Sequence, residues 1–250
     1  MTRILNPVLR EGVQIYLAEG EAFLPYLTYL IIFASVQFLT IFLPTLDPQG
    51  WMGSAYLFKF ASVTALILIV YFTLRLANQE YVPWRFLPLK HWLHKEGVSL
   101  SQVASAQLSL LCLQALIFLL LSSPLLAWAG AVARAPAGVI LSVYPLLFFY
   151  ALAYGVWGLV ALALWERRAE SRQIFVRCFL AALIFLSSLL YLPLNPVAFL
   201  FSSLGERDLA PLFVWRWQGS APAVHWLFHL FLLAAGLLTY RWALKREGYL

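Results

Sequence analysis

His225 and His229 stand four residues apart in a run that reads as a helix, a spacing that puts two imidazoles on one face where they could share a metal ion. No acidic residue lies between them, and both fall near the outer rim of an apolar run. A pair of interfacial histidines is the competing reading, so they are weak candidates and no metal site is expected. Gly53-Ser54 has the form of an intramembrane serine nucleophile, but such a serine needs a base. It lies at a rim beside Lys59, and no histidine sits deep in another apolar run. No G-x-x-x-x-G-K-[ST] loop and no H-E-x-x-H helix occurs. No single buried face carries paired carboxylates. Cys112 and Cys178 have no disulfide or zinc spacing, and His91 and His94 read as loop polarity. The chain is expected to have no catalytic motif, to bind no cofactor itself and to be no ATPase.

The elements around these residues are set by composition. Of 250 residues, 63% are hydrophobic and 11% charged, against about 25% charged in a soluble domain. A soluble protein of this length lacks the interior to hide so much apolar surface. A spanning helix needs about 20 mainly apolar residues, and six segments qualify: 24–43, 57–76, 104–128, 138–165, 178–194 and 223–242. The fold expected is therefore an all-α polytopic membrane protein, a single domain over 1–250. The first run follows Glu11, Glu19 and Glu21 and has no small-residue cleavage site, so it is expected as a span and not as a signal peptide.

Lysine and arginine give the orientation. With the N-terminus inside, thirteen of the 17 fall on inner segments and four (Lys59, Arg134, Arg207 and Arg216) on outer ones. Both termini are then cytoplasmic. The net charge of +6 reflects this bias, and no nucleic-acid partner is expected. Trp51, Trp84, Trp92, Trp128, Trp165, Trp226 and Trp242 lie at or near the ends of runs, where tryptophan marks the bilayer rim. The middle of the spans holds no Asp, Glu, Lys, Arg or His. Ion-coupled pumps bind their ion within the membrane through such groups, so energy for any transport is expected from elsewhere.

Three further segments carry information. Asn6-Pro7 reads as an N-cap with proline at the first helical position. Leu9, Val13, Tyr16 and Leu17 follow at helical spacing, with Arg10, Glu11, Gln14 and Glu19 elsewhere around the helix, predicting an amphipathic helix on the inner face. The competing reading is a frayed N-terminus. The inner loop 78–101 mixes Trp84, Phe86, Leu87, Leu89, Trp92 and Leu93 with Arg85, Lys90 and Lys95, broken by Pro83 and Pro88. Free solvation of so apolar a loop is costly; it lies on the membrane or against a partner. Ser99 and Gln102 fit a capping box opening the third span. The outer connection 195–222 is too polar to span and predicts short helices or a re-entrant element. Within the fourth span Ala151, Gly155 and Gly158 form a small-residue stripe for close helix approach, by a helix of this chain or of a second copy.

In order along the chain, the run Asn6 to Glu11, the loop with Pro88 and Leu89 leading through Ser99, and Pro124 late in the third span form one pattern. It continues with the turn Trp165-Glu166-Arg167-Arg168, with Asn195-Pro196 and with the basic C-terminal end from Arg241. This layout resembles the membrane (permease) subunit of a type-2 ABC exporter. Arg75 to Glu80 matches only loosely the Arg-Glu-rich stretch that follows the second span in many relatives. The resemblance implies pairing with a second permease copy or a related permease, and separate ABC-type ATPase subunits that hold ATP and Mg. It implies outward movement of a substrate in a bacterial-type inner membrane. It makes the inner loop the coupling surface, through Trp84, Arg85, Leu87, Pro88, Lys90, Trp92 and Lys95, with Arg10 and Glu11 of the interfacial helix beside it. The aromatic content suggests a lipid-like or amphipathic cargo. Two other classes stay open: a non-transporting membrane scaffold, and an intramembrane lipid-modifying enzyme.

Overall fold

The computed structural model describes residues 6–18, 23–42, 56–204, 209–214 and 217–248. Gly53-Ser54, Trp51, Arg3, Glu19, Glu21, Arg207 and Arg216 lie outside the described residues. The chain is an all-α polytopic membrane protein with six helices long and apolar enough to span: α2 (Leu24–Phe42), α3 (Leu57–Ala77), α4 (Leu100–Val132), α5 (Ala137–Leu164), α6 (Ala169–Leu190) and α8 (Ala221–Gly248). The short helix α1 (Pro7–Val13) precedes them, and α7 (Pro196–Ser203) follows α6.

The caps form as the local sequence dictates. Asn6 accepts from the Val8 N–H at 3.0 Å, with Pro7 at the first turn. Ser99 and Gln102 make the reciprocal capping box of α4, with the Ser99 N–H donating to Gln102 Oε1 at 3.0 Å. Asn195 caps α7 by accepting from the N–H groups of Val197 and Ala198.

Span ends differ from the hydropathy reading for two reasons. Apolar runs stop at the first charge, whereas helices continue while backbone bonds close. So α6 begins at Ala169, before Arg172 and Arg177, and α8 continues through Lys245 and Arg246. Proline also truncates: Pro193 lacks a donor, and α6 stops at Leu190, leaving Leu192–Leu194 as a 3₁₀ turn. The 33 residues of α4 reach roughly 50 Å at 1.5 Å per residue, more than the hydrocarbon thickness, so the helix is tilted or protrudes. Among the described residues the outer connection holds the short helix α7 and a small antiparallel hairpin, β1 (Leu212–Val214) and β2 (Trp217–Gly219), tied to the end of α6 by the Tyr191 hydroxyl donating to the Ala210 carbonyl at 2.6 Å.

Helices α3 and α5 form the centre and are the most buried spans; α6 is the least. On α6, Ile174, Phe185, Leu189 and Leu190 are exposed, as a lipid-facing helix requires. The small-residue stripe packs within the chain. Ala151 is fully buried, Gly155 lies against Leu111 and Thr73, and Gly158 lies against the backbone carbonyl of Leu74. Of the two alternatives for the stripe, this structure takes the helix of the same chain.

The helix expected on the inner face forms, but its buried face is corrected. The buried positions are Val8, Gly12, Ile15 and Tyr16, while Leu17 is exposed and Leu9 and Val13 are only half-buried. Two causes rotate it. A π-helical turn over Gln14–Ala18 shifts the register, and the helix docks on α4, with Gly12 against Leu110. Tyr16 anchors its end by donating to the Leu76 carbonyl of α3 at 2.7 Å.

Candidate functional site

The segment expected to couple, residues 78–99, begins where α3 ends. Gln79 turns the chain at φ 53°, and the next residue, Glu80, buries its side chain against two arginines. Arg75 of α3 reaches it at 2.7 Å and Arg177 of α6 at 3.3 Å. The Arg75 guanidinium also lies 4.5 Å from the Tyr81 ring centre, a cation–π contact. Val82 and Phe86 turn inward, and Phe86 packs 5.2 Å from the Tyr16 ring. A 3₁₀ turn over Pro83–Arg85 carries Trp84 outward, and a π-helical turn over His91–Lys95 leads to the Ser99 cap.

Pro88 has no N–H, and the residues on either side each donate one to a carboxylate from another element. The Leu87 N–H donates to Glu11 of α1 at 2.9 Å. The Leu89 N–H donates to Glu166 of the α5–α6 turn. Hydrogen bonds to ionised carboxylates are among the strong ones, so the proline is held between two straps. Helix α1 is itself tied to α4, since Asn6 Nδ2 donates to the Gln102 carbonyl at 2.7 Å. Residues 78–99 are thereby joined to α1, α3, α4, α6 and the α5–α6 turn.

Burial pushes the Glu11 carboxyl up from its ordinary 4.5, and the Leu87 N–H pulls it partly back. A carboxyl raised on folding contributes stability below pH 4.5 that is lost as pH rises through the raised value. Glu11→Gln keeps an oxygen for the Leu87 N–H and cannot ionise. It is expected to flatten that part of the stability–pH profile and to melt at or above wild type at pH 7. Melting curves across the window check this; a profile parallel to wild type would remove Glu11 as the source.

The expected coupling residues divide. Trp84 is 73% exposed and Leu87 41%, and Arg85, Pro88 and Lys95 are also exposed. Lys90 is half-buried beside the α5–α6 turn. Trp92 is corrected: at 8% exposure it belongs to the core with Leu89, Val103 and Leu159, because the π turn rolls it under the segment. Arg10 stays exposed at the mouth of a cleft of about 330 Å³ between α1 and Trp84. Sequence reasoning missed Glu80 and Glu166 as site residues. Their signal was weak: single carboxylates next to arginine-rich positions on an apolar chain.

The histidines lie elsewhere and do not face the surroundings. Both are fully buried. His225 Nδ1 faces the Pro193 carbonyl at 2.6 Å, and His229 Nδ1 faces the His225 carbonyl at 2.9 Å. A carbonyl only accepts, so each Nδ1 carries the proton and each Nε2 accepts from tyrosine, Tyr150 at 2.5 Å and Tyr154 at 2.8 Å. All four ring nitrogens are occupied, and among the described residues no three His, Cys, Asp or Glu group as a metal site. Tyr154→Phe leaves His229 Nε2 unpaired in the core and is expected to cost about 1 kcal/mol. Thermal melting in detergent reads it, and zinc is expected to leave the wild-type melting point unchanged. A zinc-dependent rise would overturn the structural assignment of the pair.

Comparison with protein-family models, with curated proteins and with solved structures returns no match.

Proposed function

We propose that this chain is the membrane-spanning subunit of an ATP-driven exporter of the type-2 ABC kind. It pairs with a second copy or a related permease and takes its energy from separate ATPase subunits that hold ATP and Mg. In this reading the face bearing α1, the coupling segment and the end of α8 is cytoplasmic, in a bacterial-type inner membrane. The positive-inside bias supports that orientation: among the described residues only Lys59 and Arg134 lie toward the opposite face.

The observation that carries the reading is the strapped proline. A surface that receives force must not deform under it, and it must pass the force to the spans. Glu11, Glu166 and Glu80 each tie the coupling segment to a different part of the bundle. Trp84 and Leu87 project from that braced frame beside Arg85, an apolar centre with a charged edge. That composition suits a docked protein surface better than open water. Closure of the ATPases then moves the spans as rigid bodies, and substrate leaves toward the opposite face. The chain supplies no chemistry; an amphipathic or lipid-like cargo suits the exposed apolar faces of α2 and α6.

The test is copurification. Tagged chain extracted in mild detergent from its native host is expected to bring down a subunit with a G-x-x-x-x-G-K-[ST] loop, and the complex to hydrolyse ATP. An intact, monodisperse chain with no such subunit would sink the exporter reading.

A further inference from the structure

The same basic face holds a second feature, beside the coupling segment. A cavity of about 520 Å³ opens between the α5–α6 turn, the end of α8 and the coupling segment. Its walls carry four cations, Lys90, Arg167, Arg168 and Arg246, against one carboxylate, Glu166. That carboxylate accepts from the Leu89 N–H. The floor is small and apolar, built from the buried Ala163 and Ala243, so a bulky group can descend past the cations.

Two tryptophans give its depth relative to the bilayer. Trp165 ends α5 and Trp242 stands on α8, 54% exposed, with the Arg246 guanidinium 5.8 Å from its ring. Tryptophans concentrate at the level of the lipid headgroups. In a chain that spans a bilayer, that puts the mouth at headgroup level. An apolar groove of about 290 Å³ lies elsewhere between α6 and α8, lined by Leu183, Leu186 and Leu190 of α6 and Phe228 of α8.

We propose that this cavity binds the phosphate of an anionic phospholipid from the leaflet on the basic face, with its acyl chains in the surrounding bilayer. Basic pockets between spanning helices recognise such headgroups, and here the exposed Arg167, Arg168 and Arg246 and the half-buried Lys90 line one cavity. The bound headgroup bridges the coupling segment through Lys90, the α5–α6 turn through Arg167 and Arg168, and α8 through Arg246. It ties these three elements to one another and stabilises them together. The proposal rests on the chain spanning a membrane and not on the exporter reading.

The experiment uses the full chain in detergent, with phosphatidylglycerol, phosphatidylcholine of the same acyl chains, or inorganic phosphate added. Native mass spectrometry reads retained lipid, and thermal melting reads stabilisation. Phosphatidylglycerol is expected to be retained and to raise the melting point, with phosphatidylcholine far weaker. Arg167→Gln with Arg246→Gln is expected to weaken retention about 30-fold, while Arg167→Lys with Arg246→Lys largely preserves it. Arg134→Gln, at the opposite face, serves as the control and leaves retention unchanged. Equal retention of both lipids, or a double glutamine variant that binds as wild type, overturns the site. Stabilisation by millimolar phosphate that matches the lipid makes free phosphate the ligand and overturns the lipid assignment. A double glutamine variant that fails to fold is replaced by Arg168→Gln with Arg246→Gln, read the same way.

Discussion

Trp84→Ala combined with Leu87→Asp is expected to release the ATP-hydrolysing partner from the chain while leaving its melting point close to wild type. The two halves of that expectation have separate grounds. Trp84 is 73% exposed and belongs to neither buried cluster, so its truncation falls among surface changes that stay within about 0.5 kcal/mol. Leu87 holds the Glu11 strap through its backbone N–H, which aspartate retains. Association is a different matter. An exposed tryptophan at the centre of a docking surface is the residue type that contributes most on alanine replacement, about 2 kcal/mol or more, and a buried unpaired charge at position 87 adds a desolvation cost. The combined loss is on the order of 100-fold or more in affinity. Trp92→Ala is the contrast from the same segment. That ring is in the core, its loss costs about 3–5 kcal/mol, and partner association falls only together with the fold. Subunit stoichiometry after copurification, measured beside melting curves, separates the two tryptophans. A Trp84/Leu87 variant with full association and unchanged melting would refute the docking surface.

The pair also shows what the sequence could and could not say. The number and order of the spans, and the caps at Asn6 and Ser99, were legible because each is decided within a few residues: an apolar run is long enough, or a polar side chain reaches its own backbone. Trp84 and Trp92 look alike at that range. Their different fates are set by a π turn and by what lies below the segment, α4 and α5, which are distant in sequence. The same limit applies to α1, where periodicity named Leu9, Val13 and Leu17 but docking on α4 buried Val8, Gly12 and Ile15 instead. His225 and His229 were legible as a pair on one helix face. Their partners Tyr150 and Tyr154, at the same four-residue spacing on α5, become visible only when the two helices are side by side. The carboxylate straps were the least legible of all, because each joins an acid to a backbone N–H, and backbone groups leave no trace in composition.

Gly158→Ala is expected to be the most damaging single-methyl change in the bundle. A Cβ there would lie 2.4 Å from the Leu74 carbonyl oxygen and 3.0 Å from Ala77 Cβ. The first obstacle is the backbone of α3, which cannot rotate aside as a side chain can, so α3 and α5 must separate along the contact that forms the centre of the fold. Overpacking of this kind costs typically 1–3 kcal/mol, and a backbone obstacle places Gly158 at the upper end. Gly155→Ala meets mainly the Leu111 methyl at 2.5 Å, the far end of a flexible side chain, with Thr73 Cγ2 at 3.0 Å. A rotamer change relieves most of that, and the cost is expected near the lower end. Melting of both variants in the same detergent gives the order. It also decides between the two uses of a small-residue stripe. If the stripe served a second copy of the chain, Gly158→Ala would shift the oligomeric state and leave monomer melting alone. Packing against Leu74 predicts the reverse, a lower melting point at every protein concentration, because the obstructed surface is buried within one chain before any partner arrives.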